Sequence, residues 1–300
     1  MYEYHKPVLL KESVDALITT PDGVYADATF GGGGHSAEIL RRLSTKGRLI
    51  AFDRDADALE RAIKDPRFTL IHNNFRFIHN YSLLEAKNGF DGILADLGVS
   101  SHQFDTAQRG FSFRYDAPLD MRMNTRSELT AQTVINTYSE EDLERIFKLY
   151  GEVENARRLA RLIVSKRSEK SIETTGELDK AIETLTPKYA GHKYLAQVYQ
   201  ALRIEVNQEM RALEKFLEGA IKSLKQGGRL AIITYHSLED RMVKNFIKAG
   251  NPSGVIYKDI FGCSNSPLEA VNRKPILPTE EEIEDNTRAR SAKLRIAVKR

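Results

Sequence analysis

Short apolar runs alternate with amphipathic stretches over the first hundred residues. Val24-Tyr-Ala-Asp27, Arg48-Leu-Ile-Ala-Phe-Asp53, Phe68-Thr-Leu-Ile-His72 and Gly92-Ile-Leu-Ala-Asp96 read as buried strands, each closing on a polar residue. The stretches between them carry helical spacing. Leu10–Ile18, Ser36–Leu43, Asp55–Ile63 and Ile78–Lys87 predict helices, with Pro21-Asp22-Gly23 and Lys46-Gly47 as turns. Strands and helices alternating at this interval predict an α/β fold with a mostly parallel sheet covered by helices. After Asp96 the alternation stops. Leu97–Gln103 reads as a loop, and Arg109–Met123 has no clear period.

Helical spacing returns without strands. Ser139–Gly151 predicts a helix with Ser139 as N-cap and Gly151 as the left-handed terminator. Glu154–Arg167 and Thr174–Leu185 follow. Lys193–Leu224 reads as one long helix with Leu195, Val198, Leu202, Val206, Met210 and Leu213 on a stripe. The α/β pattern resumes at Gly227-Gly228, with Leu230–Tyr235 as a strand and Met242–Lys248 as a helix. Ser237 and Asp240 have capping-box spacing. Asn251–Pro278 is rich in turn residues, with a hairpin expected around Val255–Ile260. Glu280–Asp285 reads as a solvated acidic run. The chain ends in a strand expected at the sheet edge. The expected organisation is therefore a discontinuous sheet domain, 1–107 and 204–300, carrying an all-helical insertion at 108–203. No internal repeat or low-complexity segment is visible in the sequence.

Chemistry collects at the strand ends. Asp27 is followed by Ala28-Thr-Phe and a four-glycine turn, Gly31–Gly34, opening onto a helix. Strand, glycine turn and helix in that order suit a nucleotide, because the backbone must turn tightly and admit a ligand closely. Asp53 lies about 20 residues past the turn, where a ribose-binding carboxylate belongs. Ligands in such sheets sit at the carboxyl ends of the strands. Asp27, Asp53, His72–Phe75 and Asp96 all fall there. Acids at strand ends also cap the helices that follow, but the set converges.

Composition narrows the setting. The chain has 300 residues, 41% hydrophobic and 29% charged, enough for a sizeable core. Its single cysteine, Cys263, excludes an internal disulfide framework and favours a reducing cytoplasm. No apolar run approaches the ~18 residues of a membrane helix, and the N-terminus lacks signal-peptide layout. The net charge of +3 is too mild for indiscriminate coating of nucleic acid. The seven histidines do not pair with cysteines or carboxylates at metal-site spacing, so no structural zinc is expected. Magnesium on phosphates stays open. Arg157, Arg158 and Arg161 form either an RNA-facing or a solvated helix face, with the solvated face favoured.

The glycine turn after an acidic strand end, with the acid on the second strand, resembles the S-adenosylmethionine-dependent methyltransferases with a Rossmann-like sheet. Asp27-Ala-Thr-Phe-Gly-Gly-Gly-Gly-His-Ser36, Asp96-Leu-Gly-Val-Ser-Ser101, Arg109-Gly-Phe-Ser-Phe113, Pro118-Leu-Asp-Met-Arg-Met123, His236-Ser-Leu-Glu-Asp-Arg241 and Arg288-Ala-Arg-Ser291 narrow it. Together they resemble the MraW-type family of 16S ribosomal RNA cytosine-N4 methyltransferases over essentially the whole chain. Ala28 stands where that family often has glycine.

The resemblance implies methyl transfer from S-adenosyl-L-methionine to the exocyclic N4 of a cytidine in the decoding region, with 16S rRNA, in the small ribosomal subunit, as partner. It implies that Gly33, Gly34 and His35 approach the methionine end of the cofactor, Asp53 holds the ribose, Phe75 contacts adenine, and Asp96 and Gln103 complete the pocket. Asp96 is the candidate to accept from the reacting amino group, and His236 to take the proton. Amino methyltransferases often carry Asp/Asn/Ser-Pro-Pro-aromatic at this strand end, whereas this chain has Asp96-Leu-Gly-Val99. Val99 cannot stack on a base, so stacking is expected from Phe104, Phe111, Phe113 or Tyr115. Arg109, Arg288 and Arg290 are candidate RNA contacts. The competing readings are a nicotinamide-dependent oxidoreductase, a DNA amino-methyltransferase and a non-catalytic RNA-binding assembly factor.

Overall fold

The computed structural model describes residues 7–258 and 265–300. His5, Cys263 and the end of the expected 255–260 hairpin lie outside the described residues. Contacts cluster into two units, Met1–Gly98 with Met210–Arg300, and Val99–Glu209. The helical insertion expected at 108–203 falls inside the second.

The first unit is a seven-stranded sheet. Its strands are β1 (Val24–Asp27), β2 (Arg48–Asp53), β3 (Phe68–His72), β4 (Phe90–Asp96), β5 (Leu224–Thr234), β6 (Leu268–Ala270) and β7 (Lys293–Lys299). They lie in the order β3-β2-β1-β4-β5-β7-β6. The first five in that order run parallel, and β7 is antiparallel to both β5 and β6. The last strand is therefore internal. The edge is β6, whose three residues are too few for period-two reading to detect.

Period two divides the sheet into faces. Tyr25, Leu49, Leu94 and Ile233 pack with Val14 and Leu17 of α1 (Leu10–Leu17) and with Ile39 and Leu40 of α2 (Gly34–Arg42). Ile50, Phe52, Ile93, Ala95 and Ile232 pack on the other side. There they meet Ile78 of α3 (Ile78–Glu85), Phe216 of α10 (Glu209–Ser223) and Phe246 of α11 (Ser237–Ala249). Each fully buried side chain of this size is worth about 1.5–3 kcal/mol, so the two-faced core fixes the strand register. The helix expected at Asp55–Ile63 is a 3-10 helix, Ala56–Arg61, opened by Asp55 accepting from Asp57 N–H.

The second unit is helical, comprising α4 (Ser101–Asp105), α5 (Ala131–Thr137), α6 (Glu140–Leu149), α7 (Ala156–Glu169), α8 (Thr175–Ile182) and α9 (Gly191–Asn207). Its core includes Val134, Leu143, Phe147, Leu159, Leu178 and Leu202. Ser139 caps α6 as expected. Gly151 does not supply the left-handed residue: Glu152 does, at φ 51°. Gly151 instead leaves space beside Gln197 O, 2.7 Å from where a Cβ would sit. The expected continuous helix to Leu224 breaks at Gln208, φ 49°, so α9 and α10 are separate, and the expected stripe divides: Val198, Leu202 and Val206 belong to the helical core and Leu213 to the sheet unit's. Among the described residues no helix is long and apolar enough to cross a membrane.

Candidate active site

The candidate site is built on one face of the sheet. Asp27 pairs in register with Ala51 and Leu94, and Asp96 with Ile233. Asp53, Asp96 and Tyr235 each lie two residues beyond one of these positions. By the period of two, Asp27, Asp53, Asp96 and Tyr235 belong to the face that α2 covers.

Asp27 is fully buried, and both its oxygens are used: Thr29 N–H donates to Oδ1 at 3.1 Å and Ser36 Oγ to Oδ2 at 2.6 Å. Burial raises its pKa against these bonds. Thr29 Oγ1 accepts the Asp96 N–H at 2.7 Å, joining the ends of β1 and β4. The glycine turn starts with Gly31, whose N–H donates to Asp53 Oδ2 at 2.8 Å, while Asp55 N–H donates to Oδ1 at the same distance. Burial raises the Asp53 pKa and the two N–H donors pull it down.

The glycines answer first to the protein. Gly33, at φ 79°, ends the turn in the left-handed region, and its Cβ position lies 2.9 Å from the Phe30 ring. A Cβ on Gly34 would meet Pro7 Cγ at 2.2 Å. The next residue, His35, is 6% exposed. Its Nε2 lies 3.1 Å from Val8 O, which can only accept, so Nε2 carries the hydrogen. Burial lowers the pKa of the ring, opposed by Asp96. Neutral His35 therefore turns a bare Nδ1 toward Asp96 Oδ2, 3.8 Å away.

Asp96 closes β4. Tyr235 Oη donates to its Oδ1 at 2.8 Å. Burial, the largest cause, pushes its pKa up to about 6; the His35 charge, where that ring is protonated, and the Tyr235 hydrogen bond oppose the shift, and the charges of Asp27 and Glu239 add to it. Tyr235 is held by its own N–H on Glu239 Oε2, 2.9 Å. Its ring lies over Gly98. The hydroxyl pKa is raised well above its usual value by burial and by the Asp96 charge, so it stays a donor. Phe75 opens a 3-10 turn after β3, and its half-buried ring meets Phe216 edge-on at 5.2 Å.

A family model, the MraW methylase family, matches residues 2–300. The chain belongs to the MraW methylase family. Ribosomal RNA small subunit methyltransferase H of Bacteroides fragilis is 57% identical to this MraW-family chain over 297 residues, covering 99% of this chain and 98% of the relative. The proteins of that name from Flavobacterium johnsoniae and Parabacteroides distasonis are 55% and 54% identical, over 99% of this chain and 98% and 97% of theirs. A solved rRNA methylase from Streptococcus thermophilus covers 97% of this chain and 93% of its own at 12% identity and TM-score 0.38, a likeness too loose to argue from.

The MraW-family sheet unit holds Gly33, Gly34, His35, Asp53, Asp96 and His236, with Phe75 after β3; within it His35 faces Asp96 and Asp53 anchors the glycine turn at Gly31. Gln103 belongs to the other unit. It is buried, and its side-chain oxygen accepts Ser100 N–H at 3.2 Å in a capping box that opens α4.

The expected cap of α11 needs correction. His236, not Ser237, caps α11. Its Nδ1 accepts Glu239 N–H at 3.4 Å, and Glu239 Oε2 returns to the His236 N–H. Its Nε2 lies 3.1 Å from Glu239 Oε1 but out of line for a hydrogen bond. Phe111, 5% exposed, belongs to the helical core and offers no face to a base, while the partly exposed Phe113 packs edge-on against Tyr199 at 5.3 Å. Tyr115 is 56% exposed and keeps that option, as does the partly exposed Phe104. Arg109 donates to Arg122 O and Met123 O and so ties its own loop. Arg290 is exposed and Arg288 half-buried in a 3-10 turn before β7. Arg157, Arg158 and Arg161 are exposed, and Arg161 lies 3.4 Å from Glu140.

The residue missed in the sequence is Tyr235, read there only as the end of a strand. Glu239 was passed over within its motif as well. The strand-end rule that selected Asp96 reaches Tyr235 once β5 is known to lie beside β4.

Proposed function

We propose that this MraW-family chain transfers a methyl group from S-adenosyl-L-methionine to small-subunit ribosomal RNA, at the exocyclic N4 of a cytidine in the decoding region of 16S rRNA. Family membership and the near-full-length relatives support the reaction and the RNA. The observation that carries the chemistry is Asp96 at the end of β4, one oxygen held by Tyr235 and the other facing His35 Nδ1.

The residues suit the cofactor by their donor set. Each Asp53 oxygen takes one backbone N–H and has a second lone pair for a ribose hydroxyl. Phe75, in the turn that follows β3, offers an apolar ring for adenine. Gly33 and Gly34 shape the turn that brings His35 to the site, and their backbone approaches the methionine end of the cofactor. S-adenosyl-L-methionine, when bound, supplies a methyl group already activated by its sulfonium.

The nucleophile is the harder partner, because the N4 lone pair is delocalised into the pyrimidine. Asp96 Oδ2 accepts from the N4 amino group, which favours a more tetrahedral nitrogen and holds it for attack. His35 Nδ1 and Asp96 Oδ2 are two acceptors facing each other, an arrangement that suits a group donating from two N–H bonds. One N4 proton is released as the C–N bond forms. Asp96, ionised above about pH 6, is the acceptor held at the reacting group.

The test is transfer of labelled methyl from S-adenosyl-L-methionine to naked small-subunit RNA and, separately, to assembled subunits. Label in RNA from either preparation is the expected result. No label in either, with NAD bound more tightly than S-adenosyl-L-methionine, would refute the reading in favour of an oxidoreductase.

A further inference from the structure

We infer that Tyr235 is the positioning residue for Asp96: its hydroxyl fixes Oδ1, and so presents Oδ2 to the amino group being methylated. The inference rests on the role of Asp96 proposed above and adds a residue to which no role had been given. Geometry carries it. The Tyr235 hydroxyl has one hydrogen, and Asp96 Oδ1 receives it at 2.8 Å. A carboxylate gripped at one oxygen cannot rotate without breaking that bond, so Oδ2 keeps its place 3.8 Å from His35 Nδ1.

Tyr235 is itself braced at both ends. Its N–H is held by the buried Glu239 at 2.9 Å, and its ring lies over Gly98, where a Cβ would sit 3.4 Å from ring carbon Cδ2. The brace begins in the capping box of α11, because Glu239 also accepts the His236 N–H. The cap is thus coupled to the carboxylate through one tyrosine.

Among the described residues, the titratable groups acting on Asp96 are Asp27 from β1, His35 from α2, Tyr235 from the end of β5 and Glu239 from α11. Asp27 and Glu239 disfavour the Asp96 anion. The Tyr235 hydrogen bond favours it, whereas neutral His35 brings it neither charge nor proton, so Tyr235 sets how far down the pH scale the carboxylate stays available as acceptor. In the reaction the N4–C bond forms, the C–S bond breaks with its electron pair left on sulfur, and the N4 proton passes to Asp96 Oδ2.

Two measurements on the full chain test this. The first follows the 13C carboxyl signal of Asp96 with pH in the ligand-free protein, assigned by its loss in Asp96→Asn. In Tyr235→Phe the midpoint rises by roughly one unit, the equivalent of a hydrogen bond to a charged group. The second follows kcat with pH on small-subunit RNA. The acid limb moves up with the carboxyl midpoint, while KM for S-adenosyl-L-methionine stays where it was. Replacing Tyr235 by a fluorotyrosine, whose hydroxyl is a stronger donor, moves both downward and keeps the packing intact if the phenylalanine variant fails to fold. An unmoved carboxyl midpoint, or a kcat profile scaled down without shifting, overturns the inference. A wild-type protein that methylates no RNA overturns the functional reading instead, and the carboxyl titration still decides the Tyr235–Asp96 link.

Discussion

Asp53 and Asp96 are both strand-end acids, yet their partners set them apart. Asp53 is held by backbone N–H groups, Asp96 by a tyrosine hydroxyl and a facing histidine. Asp53→Ala is expected to lower affinity for S-adenosyl-L-methionine by about tenfold or more, since hydrogen bonds to a charged group are worth about 1.5–3 kcal/mol. Calorimetric titration with a parallel thermal melt checks it; unchanged affinity in a folded protein contradicts the ribose role. Asp96 makes a prediction in pH. Its folded pKa, about 6, lies above the unfolded value of about 3.9. The folded state then holds more protons between those values, so this residue's contribution to stability is full below pH ~4 and is lost as pH rises through 6. The ligand-free Asp96→Asn variant should melt close to wild type near pH 4 and above it at pH 7. A gap that is constant with pH contradicts the assignment.

At the scale of elements, the glycine turn and the α11 cap show where pattern reading works and where it stops. The run from Asp27 to Ser36 was legible because strand, glycines and helix are local in sequence, and the expected β3 has the observed bounds. The cap was misread because Ser237 with Asp240 and His236 with Glu239 have the same spacing, one residue apart. Only the backbone decides which residue is extended, and His236 is, at φ −137° and ψ 164°. His236→Ala is therefore expected to cost about 1 kcal/mol of stability, as a lost N-cap does. Its kcat should fall by less than the ~100-fold that loss of an acid–base group brings. Chemical denaturation and steady-state kinetics separate the two, and a loss of 100-fold or more without destabilisation would return the proton to His236. Phe111 was misread for a different reason. It sits in a stretch without period, where sequence cannot tell a base-stacking ring from one spent on the helical core.

For the whole molecule, the parallel sheet and the presence of a helical unit followed from alternation and its interruption. The β6 edge did not, because three residues carry no period and their partner, β7, is distant in sequence. Tyr235 was hidden for the same reason. Its meaning comes from β5 lying beside β4, and 127 residues separate those strands in the chain, 97–223. The central claim, a cytidine N4 methyltransferase acting on small-subunit RNA, joins the sheet unit's chemistry to the family's substrate. It is tested most directly by treating small-subunit RNA and assembled subunits with the protein and isotopically labelled S-adenosyl-L-methionine, then digesting the RNA to nucleosides for mass spectrometry. The account predicts label in N4-methylcytidine at one position of the decoding region. Label confined to another nucleoside, to another position of the base, or to no nucleoside would contradict it.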